Sequence, residues 1–445
     1  MTYTFKGGVH VTEYKNTAKC PIEPMPAPKR LVIPLSQHIG AQAVPTVAKG
    51  DKVCRGQVIG IVENGLGCPV HSSVSGTVTE ISEHSTPSGA RIRDIVIEND
   101  FLDTPSTEMR GADKPLSSFT PEEIVERVRA AGISGMGGAT FPTYAKIQSA
   151  LGKVDRLIVN CAECEPFITA NHRLMLERPE EIINGAKILL RAFGLRLAEI
   201  AVEDNKPDGA DAVAAAAAGS ELIRIRMVKT KYPQGDERQL IYAVTGRELP
   251  AGKLPADVGC VVFNAETCAA VFRAFADGTP LIDRIVTVDG DCVKTPKNLL
   301  VRIGTPISDL IAYCGGLTRA PEKIIMGGPM MGFAQWDPNA PITKGSSAIL
   351  VFSQNMNGDK GLEDAACIRC GRCVAGCPMH LMPTLLASFS RAGDYDAAEQ
   401  YSALSCVECG SCSYVCPAHV PIVQYIRLAK FKINVKRRAA AAAKK

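Results

Sequence analysis

Cys367-Ile-Arg-Cys370-Gly-Arg-Cys373-Val-Ala-Gly-Cys377-Pro378, then after a spacer Cys406-Val-Glu-Cys409-Gly-Ser-Cys412-Ser-Tyr-Val-Cys416-Pro417, is the stretch that decides how this chain is read. Both halves are C-x2-C-x2-C-x3-C-P. Three thiolates in one tight loop can each take a different iron of a cubane, because successive two-residue gaps swing the side chains around a single centre. The fourth, followed by proline as the chain leaves, points at the other centre. The spacing therefore predicts two [4Fe-4S] clusters. Cluster one is expected on Cys367, Cys370, Cys373 and Cys416, and cluster two on Cys406, Cys409, Cys412 and Cys377.

Other uses of cysteine fit less well. Structural zinc wants four ligands in two C-x2-C pairs, not eight in a doubled pattern. A disulfide framework belongs to short secreted chains, and no secretory signal is read here. The doubled pattern is that of bacterial two-cluster ferredoxins.

Outward from this stretch, 445 residues exceed one core and suggest about three domains. A hydrophobic content of 46% and a charged content of 22% are ordinary for a globular protein. A net charge of +4 gives no argument for nucleic acid. No apolar run has the length of a membrane span, and 214–218 is a helix-favouring alanine tract. Seventeen cysteines, eight of them in the two motifs, point to a reducing compartment. The expectation is a cytosolic redox protein without its own membrane anchor.

Residues 1–30, with Pro21, Pro24, Pro26 and Pro28, read as an extended wrapping arm. Glycine-punctuated apolar runs over 31–100, including Gly50, Gly56, Gly60 and Gly76, predict a small β sandwich. It resembles the biotinyl/lipoyl-type barrel. The tip that carries a modified lysine in that family is here His71-Ser72-Ser73, which argues against lipoylation and for a docking module. A linker over 104–118 leads to Thr120-Pro121-Glu122-Glu123, a helix start with capping residue, first-position proline and third-position glutamate, and Gly132 closes that helix.

The second chemical motif is Gly135-Met-Gly137-Gly138-Ala139-Thr140-Phe141-Pro142-Thr143-Tyr-Ala-Lys146. Its glycines let backbone approach a phosphate without Cβ obstruction, and Lys146 can neutralise it. It is neither a Rossmann fingerprint nor a P-loop. Strand-like and helical stretches then alternate: 157–160, 180–193, 200–202, an alanine-rich helix and 223–228. This alternation predicts an α/β layer. Charged and polar groups fall at its strand ends: Asn160, Glu163, Glu165, Tyr232, Gly235, Asp236, Glu237, Asn264 and Thr267.

In this order those residues resemble the NADH- and FMN-binding subunit of respiratory complex I, and more closely the C subunits of Rnf-type electron-transport complexes. The opening Phe5-Lys-Gly-Gly-Val-His10, Met25-Pro-Ala-Pro-Lys29 and Ile33-Pro-Leu-Ser-Gln-His38-Ile-Gly40 are similar too, so the likeness covers nearly the whole chain. It implies non-covalent FMN on the glycine-rich loop, held by the residues just named, with NADH stacking over it. Phe141 would lie near the nicotinamide and Glu165 would contact the dinucleotide. Two positions depart from the complex I version: its loop arginine is Met136 here, and the aspartate of its Asp-Glu-Ser-Glu run is Ala162.

Residues 284–316 and 323–329 resemble the small β-grasp domain found beside this flavin fold, and polar 355–364 reads as a linker. Residues 421–431 are amphipathic and basic, followed by Lys436-Arg-Arg438. This is a solvated helix or a docking element for a membrane subunit or anionic surface.

The fold expected is multidomain α+β. It comprises an arm and barrel-sandwich β domain (1–118), an α/β FMN/NADH-binding domain (119–280), a soluble-ligand-binding β-grasp domain (281–354) and a helical two-cluster ferredoxin-like domain with a basic tail (355–445). The function expected is that of an NADH-linked oxidoreductase and translocase subunit, peripheral on the cytoplasmic face of the membrane. It would exchange electrons between NAD(H) and ferredoxin, the latter through another subunit, while membrane-embedded partners move ions. Hydride transfer needs no general base, so no catalytic side chain is nominated. A soluble cobalamin reductase of similar build and a non-enzymatic electron-carrying scaffold are the alternatives.

Overall fold

The computed structural model describes residues 2–85, 91–353 and 366–442. The expected linker at 355–364 lies outside them.

At its centre is a four-stranded parallel sheet in the order Ile223–Val228, Ala198–Glu203, Arg156–Asn160, Cys260–Asn264. Parallel strands need crossovers, and helices supply them. The helix Pro179–Phe193 begins with proline, where the missing N–H costs nothing, and ends at Gly194 in the left-handed conformation. Its buried face includes Ile182, Ile183, Ala186 and Leu189. Gly185 on this helix allows close approach to Ala265–Ala276: a Cβ added there would lie 1.9 Å from the Cys268 carbonyl oxygen. The expected capping box also forms, with Thr120 and Glu123 exchanging side-chain-to-backbone bonds ahead of Pro121–Ala130.

A second sheet of six strands runs Ile22–Pro24, Lys297–Arg302, Asp283–Asp289, Ala348–Phe352, Lys323–Met326, Phe333–Gln335. Its first strand comes from the N-terminal arm, which pairs in parallel with Asn298 to Leu300. The arm therefore wraps as expected. It also bridges at Tyr3 to Val228 and at Val9 to Tyr232.

The barrel consists of a four-stranded sheet (Arg30–Pro34, Arg91–Asn99, Gly76–Ser85, Lys52–Val53) facing a three-stranded one (Val44–Pro45, Val58–Ile61, Val70–His71). Leu31, Ile33, Ile59, Val78 and Ile97 fill it. Its His71-Ser72-Ser73 turn docks inward: all three residues are buried, and Ser73 donates to the Ile303 carbonyl at 2.6 Å. The barrel is thus mounted on its own chain.

Two four-residue helices, Arg372–Ala375 and Ser411–Tyr414, follow the two cysteine loops, and Ile422–Ala442 runs across them. Ile422, Val423, Ile426, Ala429 and Ile433 face the small core shared with Cys373 and Cys412. No described helix is long and apolar enough to cross a membrane.

Candidate functional site

The two cysteine loops are conformational copies. Arg369 and Glu408 sit at φ 55° and 57°, Gly371 and Gly410 at 74° and 79°, and His380 and His419 both at 53°. Left-handed backbone at non-glycine residues costs about 1–3 kcal/mol each and persists only where the surroundings impose it. Here it turns backbone N–H groups onto sulfur. Arg369 N donates to Cys367 Sγ at 3.4 Å, Glu408 N to Cys406 Sγ at 3.3 Å, and Leu381 N to Cys377 Sγ at 3.4 Å. Such bonds favour thiolate and raise the potential of a bound cluster.

Cys377, Cys406, Cys409 and Cys412 line one cavity, closed by Pro378, Leu381, Val423 and Ile426. The fourth cysteine of the first motif thus lines the same cavity as three cysteines of the second. Burial pushes the Cys406 thiol up to about 11 and Cys412 up to about 12, with neighbouring cysteines adding to the effect. Among the described residues, no three His, Cys, Asp or Glu side chains converge on a point where one metal ion would sit. The four cysteines line a shared cavity. The other set is arranged differently: Cys367 and Cys370 are exposed, Cys373 is buried and Cys416 is half-buried. Cys373 and Cys416 share the core beneath Ile422–Ala442.

The glycine-rich loop lies between Ser134 and Pro142, which bridge, and Gly135 N closes on Phe141 O at 2.9 Å. Asn264, at the end of its strand, accepts from Glu266 N and so caps Ala265–Ala276. The same side chain packs on Gly137, where an added Cβ would be 2.9 Å from Asn264 Nδ2. Thr267 Oγ1 accepts from Met136 N at 3.1 Å. A Cβ at Gly138 would meet nothing, and Phe141 is 38% exposed, so this side of the loop is open.

Asn160 donates to Gly235 O at 2.8 Å, joining a strand end to the turn ahead of Glu237–Thr245. Asp236 caps Glu237–Thr245 by accepting from Arg238 N and Gln239 N, and burial raises its carboxyl above the usual range. Lys146 pairs with Glu237 and lies 5.5 Å from the Phe263 ring centre. These groups gather at the carboxyl ends of Arg156–Asn160 and Cys260–Asn264, where open α/β sheets bind ligands. Two helix N-termini begin there, and such ends favour phosphate. Buried Ser134 Oγ and Thr143 Oγ1 at the loop base, and both amide atoms of Gln234, have no partner within the protein. Glycine clearance and unpaired polar atoms together fit a polar cofactor.

Glu163 and Glu165 have other partners. Glu163 accepts from Asn171 N at 2.8 Å and His172 N at 3.3 Å, at the start of Ala170–Glu177. Glu165 accepts from Met330 N and Met331 N, both at 3.0 Å, and burial pushes its pKa up to about 7. Tyr232 turns toward the cysteines: its hydroxyl donates to Cys409 O at 2.6 Å. Gln239 Nε2 donates to Pro378 O at 3.3 Å, and Gly8 N to Gly376 O at 3.2 Å.

Several supporting residues carry no sequence signal. Buried Arg284 pairs with Glu266 at 2.9 Å and reaches Met136 O at 3.4 Å beneath the loop. Lys15 donates to the carbonyls of Glu163, Glu165 and Ile168 at 2.7–2.8 Å. Buried Lys344 donates to Pro69 O at 2.9 Å and Gly132 O at 2.7 Å, tying barrel to flavin-type domain. Apart from Glu266, 18 positions from Arg284, the partners named lie more than a hundred residues away, so no local pattern marks them.

Comparison with known proteins assigns families to each region. Residues 3–102 match the RnfC barrel sandwich hybrid domain, 128–273 the Nuo51 FMN-binding domain, 285–334 the SLBB domain and 366–420 the 4Fe-4S dicluster domain. The chain is 45% identical to the C subunit of the proton-translocating ferredoxin:NAD(+) oxidoreductase complex of Clostridium ljungdahlii, over 97% of this chain and 94% of that protein. It is 43% identical to the Na(+)-translocating counterpart of Acetobacterium woodii, over 98% of each. It is 42% identical to the C subunit of the ion-translocating oxidoreductase complex of Rhodobacter capsulatus, over 98% of this chain and 84% of that one. An air-oxidised NAD+-reducing [NiFe]-hydrogenase shares the fold, with TM-score 0.51 and 19% identity over 71% of this chain and 64% of that one.

Proposed function

Because the chain belongs to the C-subunit family of Rnf-type ion-translocating ferredoxin:NAD(+) oxidoreductase complexes, we propose that it passes electrons between NAD(H) and a one-electron partner within such a complex. FMN and two [4Fe-4S] clusters would be its resident cofactors. It would lie peripherally on the cytoplasmic face of the membrane, with ferredoxin reached through another subunit and ion movement left to membrane-embedded ones.

One observation carries this reading. A single short segment serves both candidate sites: Gly235 is held by Asn160 at the crevice, and Tyr232 holds Cys409 O at the cluster-two cavity. When bound, FMN supplies the conversion between two-electron hydride chemistry and one-electron transfer. The chain's residues do the rest. Gly135, Gly137 and Gly138 let backbone approach the ring and phosphate, and the Lys146–Glu237 pair and two capped helix starts complement the phosphate. Phe141 forms an apolar edge for a nicotinamide. Glu165, tied to the turn at Met330 and Met331, fixes that turn beside the Tyr232 segment. Cys377, Cys406, Cys409 and Cys412 would hold the cluster nearer the flavin. Cys367, Cys370, Cys373 and Cys416 would hold the outer one.

The test is anaerobic purification or reconstitution of the full chain with cofactor analysis and NADH titration. About eight irons per chain are expected for two four-iron clusters, with acid-releasable FMN that NADH bleaches before the clusters reduce. Clusters without any NADH response would make the chain an electron-carrying scaffold.

A further inference from the structure

The two cysteine sets are exposed very differently. One is lined by buried Cys409 and Cys412 and covered by Tyr232, Gln239 and the arm. The other opens outward: every residue from Ala366 to Arg372 is exposed, Ile368 by 64%. This loop carries Arg369 and Arg372 between its cysteines. Among the described residues neither arginine has an ion-pair partner, whereas the equivalent loop of the buried set has Glu408 clamped by Arg427 and Lys430.

We propose that the Cys367–Arg372 loop is the electron port of this chain and docks an acidic protein carrying its own one-electron centre. The inference rests on the electron-transfer reading and adds to it the face and the partner's chemistry. Two exposed arginines on the same short loop as an exposed isoleucine give the face a basic character beside an apolar contact. Transient redox encounters use small interfaces of this kind, with charge steering partner and register. Solvated arginines attract carboxylates over about a Debye length, roughly 10 Å at ordinary salt. The balanced event is two one-electron deliveries through the port: two reduced partner molecules, NAD+ and one proton give two oxidised partners and NADH.

The experiment uses the full chain carrying FMN and both clusters, with NAD+ as acceptor. One donor is a reduced small acidic two-cluster ferredoxin, standing in for the acidic relay protein of the complex, and the other is reduced methyl viologen, a cation. With ferredoxin, NADH formation should fall about tenfold or more between low and high salt. Arg369→Glu with Arg372→Glu should lower it about tenfold or more at low salt. Methyl viologen, being a cation, should drive the charge-reversed protein at least as fast as the parent, and iron and flavin contents should match. Arg369→Gln with Arg372→Gln, gentler on cluster assembly, should give an intermediate rate. A charge-reversed protein that accepts ferredoxin electrons at the unaltered rate overturns the port. So does charge reversal that leaves this rate alone but abolishes sedimentation with phosphatidylglycerol vesicles, since the face would then belong to lipid. A chain that takes electrons from methyl viologen but never from ferredoxin keeps the electron-transfer reading and overturns the docking face. One that takes them from neither overturns both.

Discussion

At Gly137 the side chain of Asn264 occupies the space a Cβ would need. Gly137→Val should push Asn264 off its helix-capping position at about 1–3 kcal/mol. Flavin should be lost while iron stays near the normal content, read by acid-released FMN against iron per chain. Lys146→Ala removes a partly exposed ion pair, with side chains 29% and 37% accessible. Its stability cost should stay below about 1 kcal/mol, and weaker FMN affinity should be its main effect. Glu165 adds a pH dependence. Burial raises its carboxyl to about 7 from 4.5. Between those values the unfolded chain has shed a proton that the native protein keeps, so stability declines as pH rises from about 4.5 to about 7 and then levels. Glu165→Gln should remove that decline. Because glutamine keeps one acceptor for the two N–H groups of Met330 and Met331, the variant should be less stable than the parent near pH 4.5 and regain up to about 3 kcal/mol relative to it by pH 8. Denaturant midpoints at the two pH values check the sign.

Among elements, the crossed cysteine pairing makes the sharpest expectation. Cys377 belongs to the first loop by sequence but lines the cavity of Cys406, Cys409 and Cys412. Cys377→Ala should therefore disturb the second loop's cluster, seen by EPR as loss of the signal that Cys409→Ala also removes, while the Cys367 set remains. The helix pair Pro179–Phe193 and Ala265–Ala276 depends on Gly185, since any Cβ there meets the Cys268 carbonyl at 1.9 Å. Gly185→Ala must separate the two helices. Because Ala265–Ala276 starts at Asn264, beside the glycine-rich loop, the displacement should reach the FMN site as well as the core.

For the molecule as a whole, the issue is how electrons leave. A chain ending at Ser353 lacks both cysteine loops but keeps every residue assigned to the crevice. It should bind FMN and be bleached by NADH. It should also reduce two-electron acceptors, while delivery to any one-electron protein partner is lost. A truncated chain that still serves that partner at the full rate would place the clusters off the path. The fragment also uncovers the small apolar contact of Val9, Tyr232 and Cys409, so a modest fall in stability is expected beside retained flavin chemistry.

The sequence by itself determined the parts whose physics is local. Ligand spacing within twelve residues specifies a cubane loop, Thr120 to Glu123 specifies a helix start, and alternating runs specify a layered α/β sheet. Glycines at 135, 137 and 138 mark where backbone must stand clear. Tertiary structure decided how these parts meet. The Tyr232 hydroxyl bonds to a carbonyl 177 positions away, which links the crevice to cluster two and sets which cysteine loop faces inward. Arg284 on the Met136 carbonyl under the loop, Lys344 between barrel and crevice, and Glu165 on the Met330 turn are long-range contacts of the same kind. A buried charge or hydroxyl must find a partner wherever folding brings one, and chain order holds no record of where that will be.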